Sequence, residues 1–282
     1  MDGHILPKQI HYCWFGGKPL PDEAKRCIAS WKKFFPDYEV KEWNEKNFNL
    51  NCCDYVKEAY KMKMWAFVSD YARFWILYNY GGLYFDTDVE VIRSFDDILS
   101  KGSFMGQEAG ASFGVNSIGI AEVVVNPGLG IAATPGLQLY KEFLDCYDKL
   151  HFINDGVIDT TTICIRATNI LKKFGYDEKK EEVQNVAGIT IYPPEYFCPQ
   201  NFNTGEMQVT ENTYSIHHYA ATWYTWIDKV VSGIERCDKE KHPTSYRFRR
   251  IVSFPFRVIN KIKKIGVRKT VQAAKNKLRV DD

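Results

Sequence analysis

The sequence has no run of about 18 apolar residues, so it predicts no helix that crosses a membrane. Its most apolar window, WAFVSDYARFWILYNY, is interrupted by Asp70 and Arg73. The first residues, MDGHILPKQIHYCWFGG, lack the basic segment followed by a continuous apolar segment that marks a secretory signal peptide. These absences lead us to expect a cytoplasmic protein.

Two further kinds of motif are missing. None of the eight cysteines forms a C-x-x-C pair, and Cys52 and Cys53 are adjacent, which suits neither a zinc knuckle nor an ordinary disulfide. We therefore expect reduced, mostly buried thiols. The chain also has no G-x-G-x-x-G motif and no Walker lysine loop, so the sequence predicts no loop that binds phosphate through backbone amides alone.

The composition is that of a globular protein, with 282 residues of which 45% are hydrophobic and 26% are charged. The net charge of +2 hides an asymmetry, because residues 244–282 contain twelve Lys or Arg and two acids. The rest of the chain holds 25 basic and 33 acidic residues, a net charge of −8. We predict an acidic domain over residues 1–243 and a basic tail over 244–282, with the boundary in the charged turn CDKEKHPTS.

Strand patterns alternate with helix patterns along the chain. The predicted strands are QIHYCWF, YEVKEW, LYFDTDVEVI with a break or turn at its acids, IAEVVV, GITIY and YSIHHY. Helices are predicted over residues 22–35, 54–63 and 66–80, the last capped by Gly81 in the left-handed conformation, and over PGLQLYKEFLDCYDKL and TTTICIRATNILKKF. This alternation predicts an α/β fold, a mostly parallel sheet with helices on both faces.

Asp86 and Asp88 stand one residue apart in the segment FDTDV. Two such carboxylates repel each other and resist burial unless a positive charge lies between them. Both can reach one divalent cation if the strand ends between them, and a protein without a glycine phosphate loop can use such a cation to neutralise phosphate charge. An ordinary surface turn is the alternative interpretation. The position at a strand end favours the metal, because ligands gather there in open α/β sheets.

Asp70 and Arg73 form a second unusual pair. They are three residues apart, and therefore on one face, in a predicted helix whose other residues suit a hydrophobic core. A satisfied buried ion pair is one interpretation. Since a buried pair seldom stabilises more than hydrophobic residues would, the other interpretation is functional: both side chains are good hydrogen-bonding partners for sugar hydroxyls.

The blocks IHYCWFGG, SDYARFWILYNYGGLYFDTDVEV and IHHYAATW, in this order, resemble the family 32 glycosyltransferases, the sugar-binding-region D-x-D family. That family includes fungal initiating mannosyltransferases and bacterial capsule and surface-polysaccharide enzymes, and the central block is also similar to glucosylating toxin domains. The resemblance runs from about Pro7 to Trp223, and its central block is matched by Asp70, Arg73, Gly81, Gly82, Tyr84, Asp86 and Asp88.

The resemblance implies a GT-A fold, a Rossmann-like domain that binds a nucleotide-sugar. It implies that Trp14 lies against the base, that Asp70 and Arg73 contact donor hydroxyls, and that Asp86 reaches the ribose or the metal. Asp88 would ligate Mn²⁺ or Mg²⁺. The nucleotide-sugar contacts implied in total are Trp14, Asp70, Arg73, Tyr84, Asp86, His218 and Trp223, and the catalytic set is Asp70, Arg73 and Asp88.

In the late block, His218 is the residue we expect to contact the metal or the diphosphate, completing a metal set of Asp86, Asp88 and His218. His217 would then point to the opposite face of the strand, into the core. The family usually has Gly-Ser before the tryptophan, where this chain has Ala221 and Thr222. Threonine keeps a hydroxyl for the diphosphate, whereas the added Cβ of alanine changes the local geometry.

The activity implied is metal-dependent, retaining transfer of a hexose from a UDP- or GDP-sugar to a saccharide or lipid-linked saccharide, in surface or capsular polysaccharide synthesis. No carboxylate stands out as a covalent nucleophile, so we expect the acceptor hydroxyl to attack on the face that the phosphate leaves. A nucleotidyltransferase would need a phosphate loop rich in glycine and lysine, which this chain lacks. A non-catalytic carbohydrate- or nucleotide-sugar-binding protein stays an alternative.

The basic tail mixes Lys and Arg with Ile, Val and Phe at roughly helical spacing, with predicted breaks at Pro255 and Gly266. One alternative is a helix that packs its apolar side on the domain. Nucleic-acid binding is not expected, because no reading motif accompanies the charge. The alternative we favour is a peripheral anchor on an anionic membrane, at the inner face of the cell membrane, which suits a lipid-carried acceptor.

Overall fold

The computed structural model describes residues 6–109, 123–154, 156–201, 204–220, 226–235 and 242–265. Outside these ranges lie Ala221, Thr222 and Trp223, the predicted break at Gly266 and the first half of the predicted strand IAEVVV. The chain divides into two compact units, one of Met1–Phe202 with Glu206–Ala220 and the other of Asn203–Gly205 with Ala221–Asp282. The predicted boundary at residue 243 therefore falls inside the second unit.

The first unit alternates strands and helices. Its strands are β1 (Gln9–Cys13), β2 (Glu39–Trp43), β3 (Gly82–Tyr84), β4 (Val89–Val91), β5 (Phe104–Ala109), β6 (Val123–Val125), β7 (Ile131–Ala133), β8 (Ile153–Asn154), β9 (Val157–Ile158), β10 (Gln184–Val186), β11 (Ile189–Tyr192) and β12 (Ser215–His217). Its helices are α1 (Asp22–Phe34), α2 (Asp54–Lys61), α3 (Trp65–Tyr80), α4 (Asp96–Leu99), α5 (Gln138–Tyr147), α6 (Ile163–Lys173) and α7 (Pro194–Phe197).

The main sheet has the strand order β10-β11-β5-β7-β3-β1-β2, with β6 paired to β5. Strand β1 pairs in parallel with both β2 and β3, and β5 pairs in parallel with β11. Strand β7 is antiparallel to its neighbours β3 and β5, and β10 is antiparallel to β11. Five of the seven strands in this order thus run in one direction, which confirms the predicted α/β fold with a mostly parallel sheet and flanking helices.

Local sequence signals explain where the helices begin and end. Helix α1 follows Pro21, carries acids in its first turn and lysines in its last, and stops before Pro36. Acids near the helix N-terminus and cations near the C-terminus interact favourably with the helix dipole. Helix α3 is apolar almost all round, as expected of a helix buried on several sides.

Two hydrophobic clusters make up the core of the first unit. One packs α2, α3, α5 and α6 together, with the rings of Phe74 and Phe143 stacked at 4.2 Å between centroids. The other contains Trp31 of α1 together with Phe85 and Phe95. Trp31 is fully buried, and its Nε1 donates to the carbonyl of Val89 at 2.7 Å. The core thereby fixes the segment between β3 and β4 to the body of the fold.

Gly81 and Gly82 connect α3 to β3 where two backbones approach closely. A Cβ on Gly82 would lie 2.6 Å from the carbonyl oxygen of Gln9, and one on Gly81 would lie 2.5 Å from Cδ of Pro135. Gly81 ends the helix as predicted, but its φ of 66° and ψ of −160° lie outside the left-handed helical region. The chain turns at this residue directly into strand β3.

The second unit contains α8 (Trp226–Glu235) and α9 (Pro243–Ile265). Helix α9 runs through Pro255, so the predicted break at this residue is wrong. Proline removes one backbone N–H donor from a helix. Pro255 lies on an exposed face, where water can satisfy the carbonyl that loses its partner.

Among the helices in the described part of the chain, none is both long enough and apolar enough to cross a bilayer. The seven described cysteines are free thiols, as predicted. Only three of them, Cys13, Cys27 and Cys198, are buried, so the expectation that most of the thiols are buried is wrong for the described cysteines.

Candidate active site

The segment between β3 and β4 carries the two acids of the D-x-D motif. Strand β3 stops at Tyr84, and a turn closed by the hydrogen bond from the N–H of Val89 to the carbonyl of Asp86 (3.1 Å) leads into β4. Strand β4 leaves the main sheet and pairs with β12 in antiparallel register, His217 opposite Val89. The strand is therefore broken at the acids, and the late histidine block lies beside them.

Helix α3 presents Asp70 and Arg73 on one buried face. The Arg73 guanidinium donates to Asp70 Oδ1 at 2.9 Å and to the carbonyl and hydroxyl of Ser69, both at 3.1 Å. It also reaches Asp86 Oδ2 at 3.4 Å. Arg73 lies 5.0 Å above the ring of Tyr84, whose hydroxyl donates to Asp86 Oδ1 at 2.9 Å. The structure thus brings four of the predicted residues into one network.

Asp88 is held by groups from β12 and the residues after it. Its Oδ2 accepts the backbone N–H of Ala220 at 2.9 Å, and its Oδ1 lies 3.3 Å from Nε2 of His217. The carbonyl of Asp88 accepts the N–H of His218 at 3.0 Å. These contacts aim the side chains of Asp88 and His217 at each other.

The structure contradicts the predicted orientations of the two histidines. His217, which was expected to point into the core, contacts Asp88, whereas Nε2 of His218 lies 2.8 Å from Oε2 of Glu90. Successive side chains of a strand point to opposite faces, so the two imidazole rings were expected to separate, and they do. Which ring lies beside the acids is set by the pairing of β12 with β4. The geometry replaces His218 with His217 as the third residue beside Asp86 and Asp88.

Burial and charge perturb the pKa values of these groups. Burial raises the pKa of Asp70 to about 7, although the Arg73 guanidinium opposes the shift. Burial likewise raises the pKa of Asp86, again against the effect of Arg73. For Asp88, burial acts upward, but the attraction of His217 and the N–H of Ala220 outweigh it and lower the pKa. The pKa of Asp86 is therefore raised while that of its neighbour Asp88 is lowered. Perturbed pKa values of this kind are frequent in functional sites.

The pKa of the His217 imidazole is also perturbed, and in the direction expected of a partner of Asp88. Burial disfavours its charged form, but the attraction of Asp88 dominates and raises the pKa of His217 well above its ordinary range. The ring therefore carries a proton that a competing cation could displace, since a histidine must be neutral at the ligating nitrogen to bind a metal.

Asp86, Asp88 and His217 each offer one ligand atom, and these atoms lie within 4.8 Å of one another. The set contains two carboxylate oxygens and one imidazole nitrogen, and both acids are partly exposed to solvent. Carboxylates suit hard divalent cations, and an imidazole is a common ligand of divalent metal ions. The residues present fit a single divalent cation.

Trp14 is the first residue after β1, and Asp86 is the second residue after β3. Because β1 and β3 are parallel neighbours, both residues lie at the same edge of the sheet. Trp14 is partly exposed, and its Nε1 donates to the carbonyl of Lys18 at 2.6 Å. The predicted contact of Trp223 falls outside the described residues.

Sequence reasoning missed a group of residues behind the acids. Glu108 on β5 is 2% exposed, and the side-chain amide of Asn126 donates to its Oε2. Asn126 Oδ1 accepts the N–H of Gly128 at 2.7 Å, and the carbonyl of Gly128 accepts the N–H of Asp86 at 3.1 Å. The Asn-Pro-Gly turn was visible in the sequence, but nothing in it indicated the distant acid that it meets.

The D-x-D region is the part of the chain that a known family model recognises. The family described as "Glycosyltransferase sugar-binding region containing DXD motif" matches residues 21–105. This stretch includes Asp70, Arg73 and both acids of the motif. The match confirms the family resemblance identified in the sequence.

Two curated relatives align with this region. "Inositol phosphoceramide mannosyltransferase 1" of Schizosaccharomyces pombe is 28% identical over 111 residues, covering 36% of this chain and 33% of the relative. An uncharacterized glycosyltransferase of Acanthamoeba polyphaga mimivirus is 28% identical over 106 residues, covering 36% of this chain and 42% of the relative. The chain thus spans less than half the length of either relative.

Among solved structures, the PaToxG glycosyltransferase resembles the chain loosely. Its TM-score is 0.42 at 17% sequence identity, and the likeness covers 60% of this chain and 69% of that protein.

Proposed function

We propose that the protein is a metal-dependent glycosyltransferase with a GT-A arrangement, which moves a hexose from a nucleotide-sugar to a saccharide or lipid-linked acceptor. The observation that carries this proposal is the convergence of Asp86, Asp88 and His217 at one edge of the sheet, backed by the buried guanidinium of Arg73. The family match to residues 21–105 supports the same activity.

Asp86, Asp88 and His217 would hold the cation, for which we propose Mn²⁺ or Mg²⁺. When bound, it would supply positive charge next to a diphosphate leaving group. Arg73 keeps Asp86 in place and balances part of its charge. Asp70 has one carboxylate oxygen engaged by Arg73, which leaves the other for a donor hydroxyl. The described side chains thus bind and orient the donor.

For the transfer we propose that the acceptor hydroxyl attacks the anomeric carbon on the face that the diphosphate leaves. The bond from this carbon to the phosphate oxygen breaks, the bond to the acceptor oxygen forms, and the hydroxyl proton passes to a departing phosphate oxygen. Configuration is then retained without a covalent enzyme intermediate. Glu108 is 2% exposed and already accepts a hydrogen bond from the side-chain amide of Asn126, so it is poorly placed to attack a sugar. Trapping of a glycosyl adduct on Glu108 or any other acid would refute this route.

We propose the donor and the acceptor only as classes. The fungal relative is named as a mannosyltransferase that acts on inositol phosphoceramide. By analogy we propose a UDP- or GDP-hexose as donor and a lipid-linked glycan of a surface polysaccharide as acceptor.

The first test is Mn²⁺-dependent hydrolysis of a panel of UDP- and GDP-sugars, with Asp88→Asn and His217→Gln beside the wild type. His218→Gln is the matched control, because it alters a neighbouring imidazole that contacts Glu90 instead of the acids. We expect one nucleoside diphosphate to be released by the wild type and by His218→Gln, and a loss of about 10² or more in the other two variants. Binding of a nucleotide-sugar without turnover would instead identify a non-catalytic binding protein.

We also propose that α9 docks on an anionic membrane. Four apolar side chains of α9 form an exposed stripe along one face of the helix: Phe248, Ile251, Val252 and Ile259. They are between 42% and 70% exposed, and their spacing is that of a helix face. The helix contains seven Lys or Arg and no acid. Its other side faces α8, where the fully buried Ser253 donates to Glu235. An apolar stripe beside cationic side chains matches the interface of a bilayer that contains acidic lipids.

Co-sedimentation with vesicles tests this docking. The full chain should bind equimolar phosphatidylcholine and phosphatidylglycerol at low salt, and should release as salt rises or when phosphatidylcholine is used alone. Phe248→Ser with Ile251→Ser should weaken binding, whereas the control pair Val157→Ser and Val209→Ser, which are 65% and 53% exposed elsewhere on the chain, should not. Equal binding by both double variants would contradict the proposal.

A further inference from the structure

Tyr219 has an unusual backbone conformation beside the candidate site. Its φ is 51°, in the left-handed region that residues with a side chain rarely adopt. Two other described non-glycine residues share a positive φ, and both lie where it is expected. Lys63 follows the end of α2, and Ala187 is in the two-residue turn between β10 and β11. Tyr219 instead lies two residues beyond the end of β12, where neither reason applies.

The two residues that flank Tyr219 both donate to Asp88. The N–H of His218 lies 3.0 Å from the carbonyl oxygen of Asp88, and the N–H of Ala220 lies 2.9 Å from its Oδ2. The first bond continues the antiparallel pairing of β12 with β4. In that register Ala220 would face Asp86, but its N–H turns back to the side chain of Asp88. The bend at Tyr219 therefore decides which acid the Ala220 N–H holds.

The side chain of Tyr219 explains how this conformation persists. Its hydroxyl lies 3.0 Å from Sγ of Cys198 and 3.5 Å from the carbonyl oxygen of Gln200. The same hydroxyl hydrogen-bonds the buried carboxylate of Glu108. The ring packs against the imidazole of His217, with 4.4 Å between the ring centroids. Unfavourable backbone conformations persist where the surrounding contacts over-determine them, and they cluster at functional sites.

We propose that Tyr219 is a positioning residue of the cation site: its left-handed backbone aims the N–H of Ala220 at Oδ2 of Asp88 and so holds this carboxylate where it can ligate. This inference rests on the cation of the proposed function. Ligating carboxylates are commonly held by hydrogen bonds from neighbouring groups, and losing such a partner typically weakens metal binding by about 10- to 100-fold. The bond to Oδ2 leaves Oδ1 of Asp88 for the cation.

Tyr219→Asn and Tyr219→Leu separate the role of the backbone from that of the side chain. Both variants lack the ring and the hydroxyl, so intrinsic backbone preference then decides the conformation of residue 219. Asparagine and leucine have side chains of similar size and shape, but asparagine adopts the left-handed region more readily. The left-handed conformation should therefore be favoured in Tyr219→Asn over Tyr219→Leu by about 5- to 30-fold.

The first measurement is hydrogen exchange of the Ala220 amide, read by nuclear magnetic resonance of the full chain without added cation. The amide should be protected in the wild type, because it donates to Asp88, and Asp88→Ala should remove this protection. Relative to the amides of β1, it should exchange about 5- to 30-fold faster in Tyr219→Leu than in Tyr219→Asn. Equal exchange in the two Tyr219 variants would overturn the inference.

The second measurement is Mn²⁺ affinity without nucleotide, read from the electron paramagnetic resonance signal of free Mn²⁺. Apparent affinity scales with the fraction of the protein that is competent to bind, so Tyr219→Leu should bind about 5- to 30-fold more weakly than Tyr219→Asn. The matched control is Ala187→Asn with Ala187→Leu, the same two changes at an exposed residue of positive φ. Both control variants should bind Mn²⁺ as the wild type does.

Urea titrations of the same variants distinguish positioning from a structural role. A structural role alone would make Tyr219→Leu less stable than Tyr219→Asn while both bind Mn²⁺ equally well, and this result would overturn the inference. The cation site of the proposed function would stand in that case, because the wild type still binds Mn²⁺. If the wild type binds no Mn²⁺, the metal part of the proposed function fails, and the positioning role of Tyr219 fails with it.

Discussion

Gly128→Ala should disable the site by moving one carboxylate. A Cβ at this position would lie 2.2 Å from Oδ2 of Asp86 and 3.0 Å from Oδ1 of Asn126, whereas ordinary contacts begin at 3.4 Å. The backbone at Gly128 has no positive φ, so alanine fits the chain itself. The conflict is therefore confined to side-chain atoms, and Asp86 Oδ2 has to move by about 1 Å to relieve it.

Such a shift is large relative to the contacts that hold Asp86. Its carboxylate receives the Tyr84 hydroxyl at 2.9 Å and the Arg73 guanidinium at 3.4 Å. Misplacing a catalytic group by about 1 Å costs on the order of 10²-fold in rate, equivalent to about 2.7 kcal/mol of barrier. Overpacking of a buried site costs about 1–3 kcal/mol of folding free energy, which should leave the protein folded.

The assays are Mn²⁺ affinity, kcat/KM for nucleotide-sugar hydrolysis and stability in urea. Gly106→Ala is the matched control, because its added Cβ would lie 2.6 Å from Cδ2 of Phe197 and meet only apolar atoms in the core. Both variants should lose similar stability, but only Gly128→Ala should lose Mn²⁺ affinity and activity. Wild-type Mn²⁺ affinity in Gly128→Ala would refute the reasoning.

Three further changes test the fold around the site. Burial lowers the pKa of His11 from 6.5 to about 4, so the unfolded chain binds more protons between these values and stability should fall by up to about 3 kcal/mol as pH drops from 6.5 to 4. Urea titrations at several pH values should show this slope in the wild type and a flatter one in His11→Asn. Arg73→Met leaves Asp70 and Asp86 without their cation and should cost about 3–5 kcal/mol in the same assay, partly recovered by adding Asp70→Asn. Phe74→Ala removes a fully buried ring stacked on another and should cost about 3–5 kcal/mol, measured as a lower Tm, and an unchanged Tm would contradict the described core.

The helices and the first strands of this fold were predictable because their signals are local. Proline and charged residues mark both ends of α1, and the spacing of Asp70 and Arg73 already places them on one helix face. The break of the strand at Asp86 and Asp88 was visible for the same reason, since two acids separated by one residue do not continue a buried strand. Local chemistry therefore located most of the candidate site.

The missed features depend on pairing between distant segments. Strand β7 is three residues long and contains two alanines, and it becomes a strand only because β3 and β5 lie on either side of it. The histidine error has the same origin. Alternation separates His217 from His218, but which of them meets Asp88 is decided by the register of β12 against β4, a tertiary contact. Glu108 was missed because it lies on β5, whereas its partner Asn126 lies after β6, and only the folded chain brings the two together.

The charges at the site explain why two acids can end this strand. Asp86, Asp88 and Glu108 are acidic, and within the described residues the cations that contact or neighbour them are Arg73 and His217. When all three are ionised, these acids outnumber the two cations even if Asp70, with its pKa of about 7, is protonated. Under the proposed function, such a site would repel a diphosphate until a divalent cation entered, and it would hold that cation more tightly once the anion was present. The two ligands should therefore bind cooperatively, because neither can neutralise the site alone.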